Sequence, residues 1–287
     1  MSNNILPGVW PTMVTPFTDS DQVDYRALEQ MIEWYLEKGI DGLFAVCQSS
    51  EMFYLSLEER VNLAEFVRKK APASIPVIAS GHISKNKNDQ ITELKAIADT
   101  GIDALVLVTN RLASEEESES IWKSNFEEII KKIPDIPLGF YEAPYPYQRL
   151  LTPELLQWCG KFESLYFLKD TSCNLKKLKA KVKAVKDSNL KIFNANSATL
   201  FESLQFGISG YSGVMGNFHP ELYQWLISNW QENKEEAEKL QNFLGLSSII
   251  ERQYYPVNAK YFLQLEGIDI KLNSRTQDPD KFQPSFK

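Results

Sequence analysis

A lysine ends an apolar run at Leu165-Tyr166-Phe167-Leu168-Lys169. Such a run reads as a strand buried on both faces, and lysine is almost never fully buried without a partner. Lys169 is therefore a candidate for chemistry. Lysine either binds anions as an ammonium or attacks carbonyls as a neutral amine. Burial disfavours the ammonium and lowers the pKa. A desolvated lysine can thus attack a ketone and form a Schiff base, an electron sink. That reaction needs a proton shuttle, and Tyr141 ends the preceding apolar run, Pro137 to Tyr141. Its phenol could carry protons to and from the carbinolamine. Small hydroxyls and backbone N–H groups in Cys47-Gln48-Ser49-Ser50-Glu51 could hold a carboxylate. Plainer readings stay open. Lys169 could form a salt bridge and Tyr141 could be a core aromatic with one satisfied hydroxyl. His82 reads as a lining residue and Glu51 as a hydrogen-bonding one.

The elements that position these residues alternate along the chain. Short β-rich runs are expected at Val9 to Val14, Gly42 to Val46, Pro76 to Ser80, Ala104 to Val108, Pro137 to Tyr141, Leu165 to Lys169, Lys191 to Asn194 and Gly210 to Val214. Amphipathic runs lie between them. Asp24 can cap a helix over Tyr25 to Lys38, and Ser56-Leu57-Glu58-Glu59 matches a capping box. Further helices are expected at Asn88 to Asp99, up to about Lys132, Thr152 to Trp158, Leu175 to Val185 and Ala198 to Phe206. After Pro220 the rest reads as helical, over Glu221 to Trp230, Lys234 to Ile250 and Asn258 to Leu265, before a tail rich in Pro, Gln and charge. Strand–helix alternation implies a parallel sheet covered by helices. The expected fold class is α/β: a (β/α)8 TIM barrel over 1–218 with additional C-terminal helices, 219–287, packed on it. An open doubly wound sheet would show a dinucleotide or phosphate fingerprint after the first strand, and Thr15-Pro16-Phe17-Thr18-Asp19 is not one.

Barrels of this kind place their chemistry at the C-terminal strand ends. Those ends present Gln48 and Ser49, His82, Arg111, Tyr141 and Glu142, Lys169, and Ser212 and Asn217.

Composition narrows the classes. The 287 residues carry a net charge of −7, which argues against nucleic acid or an anionic membrane as partner. The lysines between Lys176 and Lys186 read as the solvated face of a helix. Three cysteines, Cys47, Cys159 and Cys173, make neither a disulfide framework nor a zinc motif, and two histidines disfavour a histidine-based metal site. No apolar stretch reaches the ~20 residues of a membrane span. Met1-Ser2-Asn3-Asn4 has no leader character, so a cytoplasmic location is the default expectation.

With these residues in view, the chain resembles the dihydrodipicolinate synthase and N-acetylneuraminate lyase family of pyruvate-dependent class I aldolases. The resemblance runs from Gly8-Val9-Trp10-Pro11-Thr12-Met13-Val14-Thr15-Pro16-Phe17 through Ser50-Glu51 with Leu55-Ser56-Leu57-Glu58-Glu59-Arg60, Tyr141 with Pro144, Phe167-Leu168-Lys169-Asp170-Thr171-Ser172, and Gly207 to Asn217. It implies a (β/α)8 barrel assembled as a homotetramer or homodimer, Lys169 as Schiff-base lysine, Tyr141 as proton relay, Ser49 on the pyruvate carboxylate, and no metal or organic cofactor. The chain also departs from the family. Gln48 replaces a hydroxyl that relays protons to the tyrosine. Asn110-Arg111-Leu112 lacks the tyrosine that reaches into a neighbouring subunit's site. Glu142 replaces an asparagine, Pro146 falls where the synthases keep an arginine, and Asn196 replaces an acidic residue. Arg111 could serve as a substitute anion ligand, and Glu142 could bind substrate hydroxyls or act as acid or base. The expected function is a Schiff-base lyase or synthase acting on pyruvate or a related 2-oxo acid. A dehydratase of a 2-keto-3-deoxy sugar acid, dihydrodipicolinate synthase itself, and a non-catalytic 2-oxo-acid-binding protein remain open beside it.

Overall fold

Eight parallel strands form one sheet: β1 Gly8–Val9, β2 Leu43–Val46, β3 Val77–Ala79, β4 Ala104–Val108, β5 Leu138–Tyr141, β6 Leu165–Asp170, β7 Lys191–Asn194 and β8 Gly210–Tyr211. The order is β1-β8-β7-β6-β5-β4-β3-β2. A parallel bridge from Thr12 to Phe44 joins the chain after β1 to β2 and closes the cylinder. The computed structural model describes residues 5–283. Met1–Asn4 and the last four residues of the tail lie outside the described residues.

Helices alternate with the strands: α1 Tyr25–Glu37, α2 Leu57–Lys70, α3 Lys87–Ala98, α4 Glu119–Ile130, α5 Pro153–Cys159, α6 Leu175–Val185, α7 Leu200–Leu204 and α8 Pro220–Asn229. The caps are those the side chains dictate. Asp24 accepts from the N–H groups of Arg26 and Ala27, and Ser56 and Glu59 complete a reciprocal capping box. α9 Lys234–Ser247 runs into a 3-10 turn, Ser248–Arg252, and α10 Val257–Leu265 follows.

Strand one is shorter than its apolar run suggests. Only Gly8 and Val9 pair with β8, at Gly210 and Tyr211. The seam is tight, since a Cβ on Gly210 would stand 1.9 Å from the Gly8 carbonyl oxygen. The C-terminal stretch is also better anchored than its composition suggests. Glu51 accepts from Lys260 Nζ at 3.1 Å, Ser274 Oγ at 2.8 Å, and the N–H groups of Arg275 and Thr276 at 2.7 and 2.9 Å. Arg275 also donates to Glu59 at 2.7 and 2.9 Å. Those bonds pin the chain end beside the loop that follows β2.

Inside the barrel, Trp10, Phe44, Phe167 and Phe193 pack ring against ring, with centroids 4.6–5.9 Å apart. All four are fully buried. Because side chains alternate along a strand, Phe167 lies on the same face of β6 as Lys169. The aromatic layer is therefore a dry floor beneath the C-terminal mouth.

The lysine run does not lie wholly in solvent. α6 buries Leu178, Lys181 and Val185 on one face. Lys181 Nζ donates to Glu142 at 2.5 Å and to Asp170 at 2.6 Å, and all three side chains are at most 2 % exposed. Among the described residues, no helix is long and apolar enough to cross a membrane.

Candidate active site

Lys169 stands opposite Tyr141 in the β5–β6 register. Its side chain is 3 % exposed, and Nζ lies 5.1 Å from the centre of the Tyr141 ring. Burial pulls its pKa down from 10.5 to about 8, against weaker opposing influences from Cys47 and Glu251. The aromatic floor supplies that burial, because it keeps water from solvating the ammonium. Burial pushes the Tyr141 hydroxyl well above its ordinary value, so at neutral pH the phenol keeps its proton and can donate it.

Two adjoining cavities meet at this pair. One, about 280 Å³, is lined by Lys169, Tyr141, Thr171, Gly213, Glu251 and Tyr255. The other, about 300 Å³, is lined by Gln48, Ser49, Tyr141, Pro144, Tyr145 and Tyr255. Ser49 Oγ donates to Thr12 Oγ1 at 3.1 Å, which fixes the hydroxyl at the base of the loop. Gln48 Oε1 accepts from the Tyr145 N–H at 3.3 Å, so the amide ties two loops together. Ser212 is fully buried, and its Oγ has no partner among the described residues. By alternation from Tyr211, which stacks outward on Tyr223 at 4.1 Å, Ser212 faces the barrel interior, where a ligand atom could satisfy it.

Three residues read from sequence as substrate ligands are held elsewhere. Glu142 follows Tyr141 on the strand, and alternation turns it to the opposite face. There it binds Lys181, and it accepts from Leu151 N–H at 2.7 Å and Thr171 N–H at 3.3 Å. It is closed off from the mouth, so neither substrate binding nor acid–base work fits it. Asn217 is engaged on both sides: Oδ1 accepts from Tyr35 Oη at 2.5 Å, and Nδ2 donates to the carbonyls of Thr12 and Val214, each at 2.9 Å. Arg111 sits on a 3-10 turn, Thr109–Arg111, with its guanidinium 5.2 Å from the Phe53 ring centre. It lines a separate cavity of about 530 Å³ with Lys85, Lys87 and Tyr147, not the one beside Lys169. His82 is also structural. Its Nε2 accepts from the Val108 N–H at 2.5 Å, and burial keeps the ring neutral, with a pKa near 3.

Sequence reasoning passed over Tyr255 and Glu251, which come from the segment joining α9 to α10. Tyr255 borders both cavities. Its Oη accepts from Asn217 Nδ2 at 3.3 Å. The available signal was Glu251-Arg252-Gln253-Tyr254-Tyr255-Pro256, a polar and aromatic break between two helical runs. Among the described residues, no group of three or more His, Cys, Asp or Glu side chains is placed to hold a metal ion.

Residues 6–277 match the profile of the dihydrodipicolinate synthetase family. Among curated proteins, the 4-hydroxy-tetrahydrodipicolinate synthase of Oceanobacillus iheyensis is 25% identical over 264 residues, covering 91% of this chain and 88% of its own. Among solved structures, YagE, a prophage protein of Escherichia coli K12 in complex with pyruvate, superposes with a TM-score of 0.85 at 22% identity, over 94% of this chain and 91% of its own. CdNal of Clostridium difficile in complex with mannosamine superposes with a TM-score of 0.84 at 20% identity, over 95% and 93%.

Proposed function

The chain belongs to the dihydrodipicolinate synthetase family, whose members are lyases that act through a Schiff-base lysine, and on that premise we propose that Lys169 forms a Schiff base with pyruvate or a related 2-oxo acid. One observation carries the assignment: an amine buried over an aromatic floor, with its pKa lowered to about 8 and a phenol beside it. The neutral amine attacks the ketone. Tyr141 protonates the carbinolamine oxygen, and water leaves. Ser49, the neighbouring loop and the unpartnered Ser212 hydroxyl receive the substrate's polar groups.

The test is to incubate the protein with pyruvate and a hydride reductant and then weigh it. A stable gain of one reduced pyruvate, mapped to the peptide holding Lys169, is expected. No gain in mass, or modification mapped elsewhere, sinks the proposal. The initial rate of trapping should rise with pH and level off above about 8, because only the neutral amine attacks. A flat profile between pH 6 and 10 would mean that Lys169 is not the group titrating.

The partner of the 2-oxo acid is read from the walls. Gln48, Tyr145, Thr276 and Gln277 are neutral, and the arginine candidate lies in another cavity. Those neutral polar walls suit a hydroxylated, sugar-derived partner, although the adjoining cavity beside Lys169 also carries the Arg252 guanidinium. Two outcomes follow from such a substrate: cleavage that releases pyruvate, or dehydration that keeps the carbon count. Product analysis on 2-keto-3-deoxy sugar acids separates them. Tyr255→Phe removes the hydroxyl that accepts from Asn217, a bond worth about 1 kcal/mol. We expect roughly tenfold slower trapping together with a stability loss of about 1 kcal/mol; an unchanged rate would make Tyr255 a wall and nothing more. We extend the proposal to a homodimer or homotetramer, and to a division between a barrel over 1–218 and a helical part beyond it.

A further inference from the structure

We propose that the C-terminal segment 273–277 positions the turn that receives the carboxylate of the 2-oxo acid, with Arg275 as its positioning residue and Glu51 as the link between them. The inference rests on the Schiff-base reading and adds to it a second element, remote from Lys169 in the chain, that sets substrate affinity.

The turn after β2 runs through residues 47–51. From the barrel side it is held by hydroxyls. Ser50 Oγ accepts from the Cys47 N–H at 2.9 Å and donates to the Cys47 carbonyl at 2.7 Å. Thr15 Oγ1 donates to the Ser50 carbonyl at 2.8 Å, and Ser49 Oγ donates to Thr12 Oγ1. Gln48 and Ser49 border the 300 Å³ cavity, and among the described residues their N–H groups go to no backbone carbonyl. These donors can meet a carboxylate. The chain leaves the turn at Glu51, with φ 61° and ψ 31°. That left-handed conformation is unfavourable for a residue with a Cβ, and it persists only where the surroundings impose it.

The C-terminal part imposes it. The Glu51 side chain is buried, and among the described residues its carboxylate accepts only from Lys260, Ser274, Arg275 and Thr276. The segment 273–277 is fastened in turn. Lys260 Nζ donates to the Asn273 carbonyl, and Asn273 Nδ2 donates to the Thr18 carbonyl at 2.9 Å. Besides binding Glu59, Arg275 donates to the Asp21 carboxylate at 3.0 Å, to the Asp21 carbonyl at 2.7 Å and to the Tyr54 carbonyl at 3.0 Å. Its Cζ lies 4.6 Å from the centre of the Phe17 ring. Arg275 thus clamps the segment to the loop after β1, to the chain after the turn and to the first turn of α2. The segment then continues into the site, where Thr276 and Gln277 border the same cavity as Gln48 and Ser49.

A carboxylate is held best by donors that are already in place, because a loop that must be ordered at each binding event loses affinity. Seating the segment therefore acts on binding. It leaves the chemical step alone, since Lys169 and Tyr141 are fixed by the pairing of β5 with β6.

Hydride trapping over a range of pyruvate concentrations separates the two. Arg275→Gln should raise the half-saturating concentration by about tenfold while the rate at saturation stays within about twofold. Arg275→Lys should recover part of the affinity. Ser274→Ala, a milder change that removes one bond to Glu51, should raise half-saturation by about threefold. Hydrogen exchange read by mass spectrometry should show peptides over 47–51 and 273–277 loosening together in Arg275→Gln. Half-saturation at the unaltered value in the folded variants overturns the proposal. So does faster exchange confined to 273–277, which would make the segment a tether only, and so does a fall in the saturated rate with half-saturation unchanged. An unaltered protein that forms no adduct defeats instead the Schiff-base reading, and the exchange comparison then decides the coupling of segment to turn on its own.

Discussion

Lys169→Met is expected to abolish the pyruvate adduct and at the same time to make the protein more stable. The two effects have one cause. In the unfolded chain the lysine titrates near 10.5, and in the fold near 8, chiefly because the site is dry. A base whose folded pKa is lowered is charged in both states below about 8, so there the whole cost of burying the ammonium is present. The cost fades between 8 and 10.5 and is gone above. The shift corresponds to roughly 3 kcal/mol. Methionine has a similar length and no charge, and its flexible thioether tolerates irregular space. At pH 7 the variant should therefore gain on the order of 2–3 kcal/mol in chemical denaturation, with the gain shrinking towards pH 10. Hydride trapping should fall to background at every pH. A variant that loses stability would show that Lys169 is held by a partner, and the argument for a reactive amine would fail with it.

The same physical reading explains which parts of the site were legible beforehand. Apolar runs of strand length, alternating with helical periodicity and closed by caps such as Asp24 and Ser56, gave the element order. A barrel's rule that chemistry lies at strand ends then pointed to Lys169 and Tyr141, which the register sets side by side. Glu142 was misplaced for a reason the sequence already contained. Period two on β5 turns it away from Tyr141, and period 3.6 on α6 sets Lys181 in line with Leu178 and Val185. Treating the lysines as one solvated run hid the partner waiting behind the sheet. Arg111 went astray because a 3-10 turn, not an extended strand end, carries it. Glu251 and Tyr255 carried only a weak local signature, a polar and aromatic break between two helical runs. Their place in the mouth depends on how the turn after α9 folds back over β6 and β8, and on Glu51 anchoring the chain end. No spacing along the sequence encodes that.

Lys181→Met should behave in the opposite way to Lys169→Met, although both replace a buried lysine. Among the described residues, Lys181 is the only cation between Glu142 and Asp170, at 2.5 and 2.6 Å. Removing it strands two carboxylates in a dry pocket, and breaking a buried pair in this way costs about 3–5 kcal/mol. The pH dependence carries a distinct sign. Burial already raises Glu142 to about 7, against the pull of Lys181. An acid whose folded pKa is raised supports the fold fully below its unfolded pKa of 4.5 and loses that support as pH rises through the folded value. Without Lys181 the shift can only grow. The variant should therefore be closest to the unaltered protein near pH 5 and weakest at pH 8, when both are unfolded with urea. Adding Glu142→Gln should restore part of the loss at pH 8, because it removes one of the stranded charges. The triad also bears on the chemistry. Glu142 and Asp170 are the residues next to Tyr141 and Lys169 on paired strands, so the ion cluster on the outside of the sheet holds in register the two groups that face each other on the inside. Hydride trapping by the folded Lys181→Met protein, measured at pH 6, should accordingly be slower than that of the unaltered protein. An unaltered rate and an unaltered urea midpoint would show that the strand pair holds its register without the cluster.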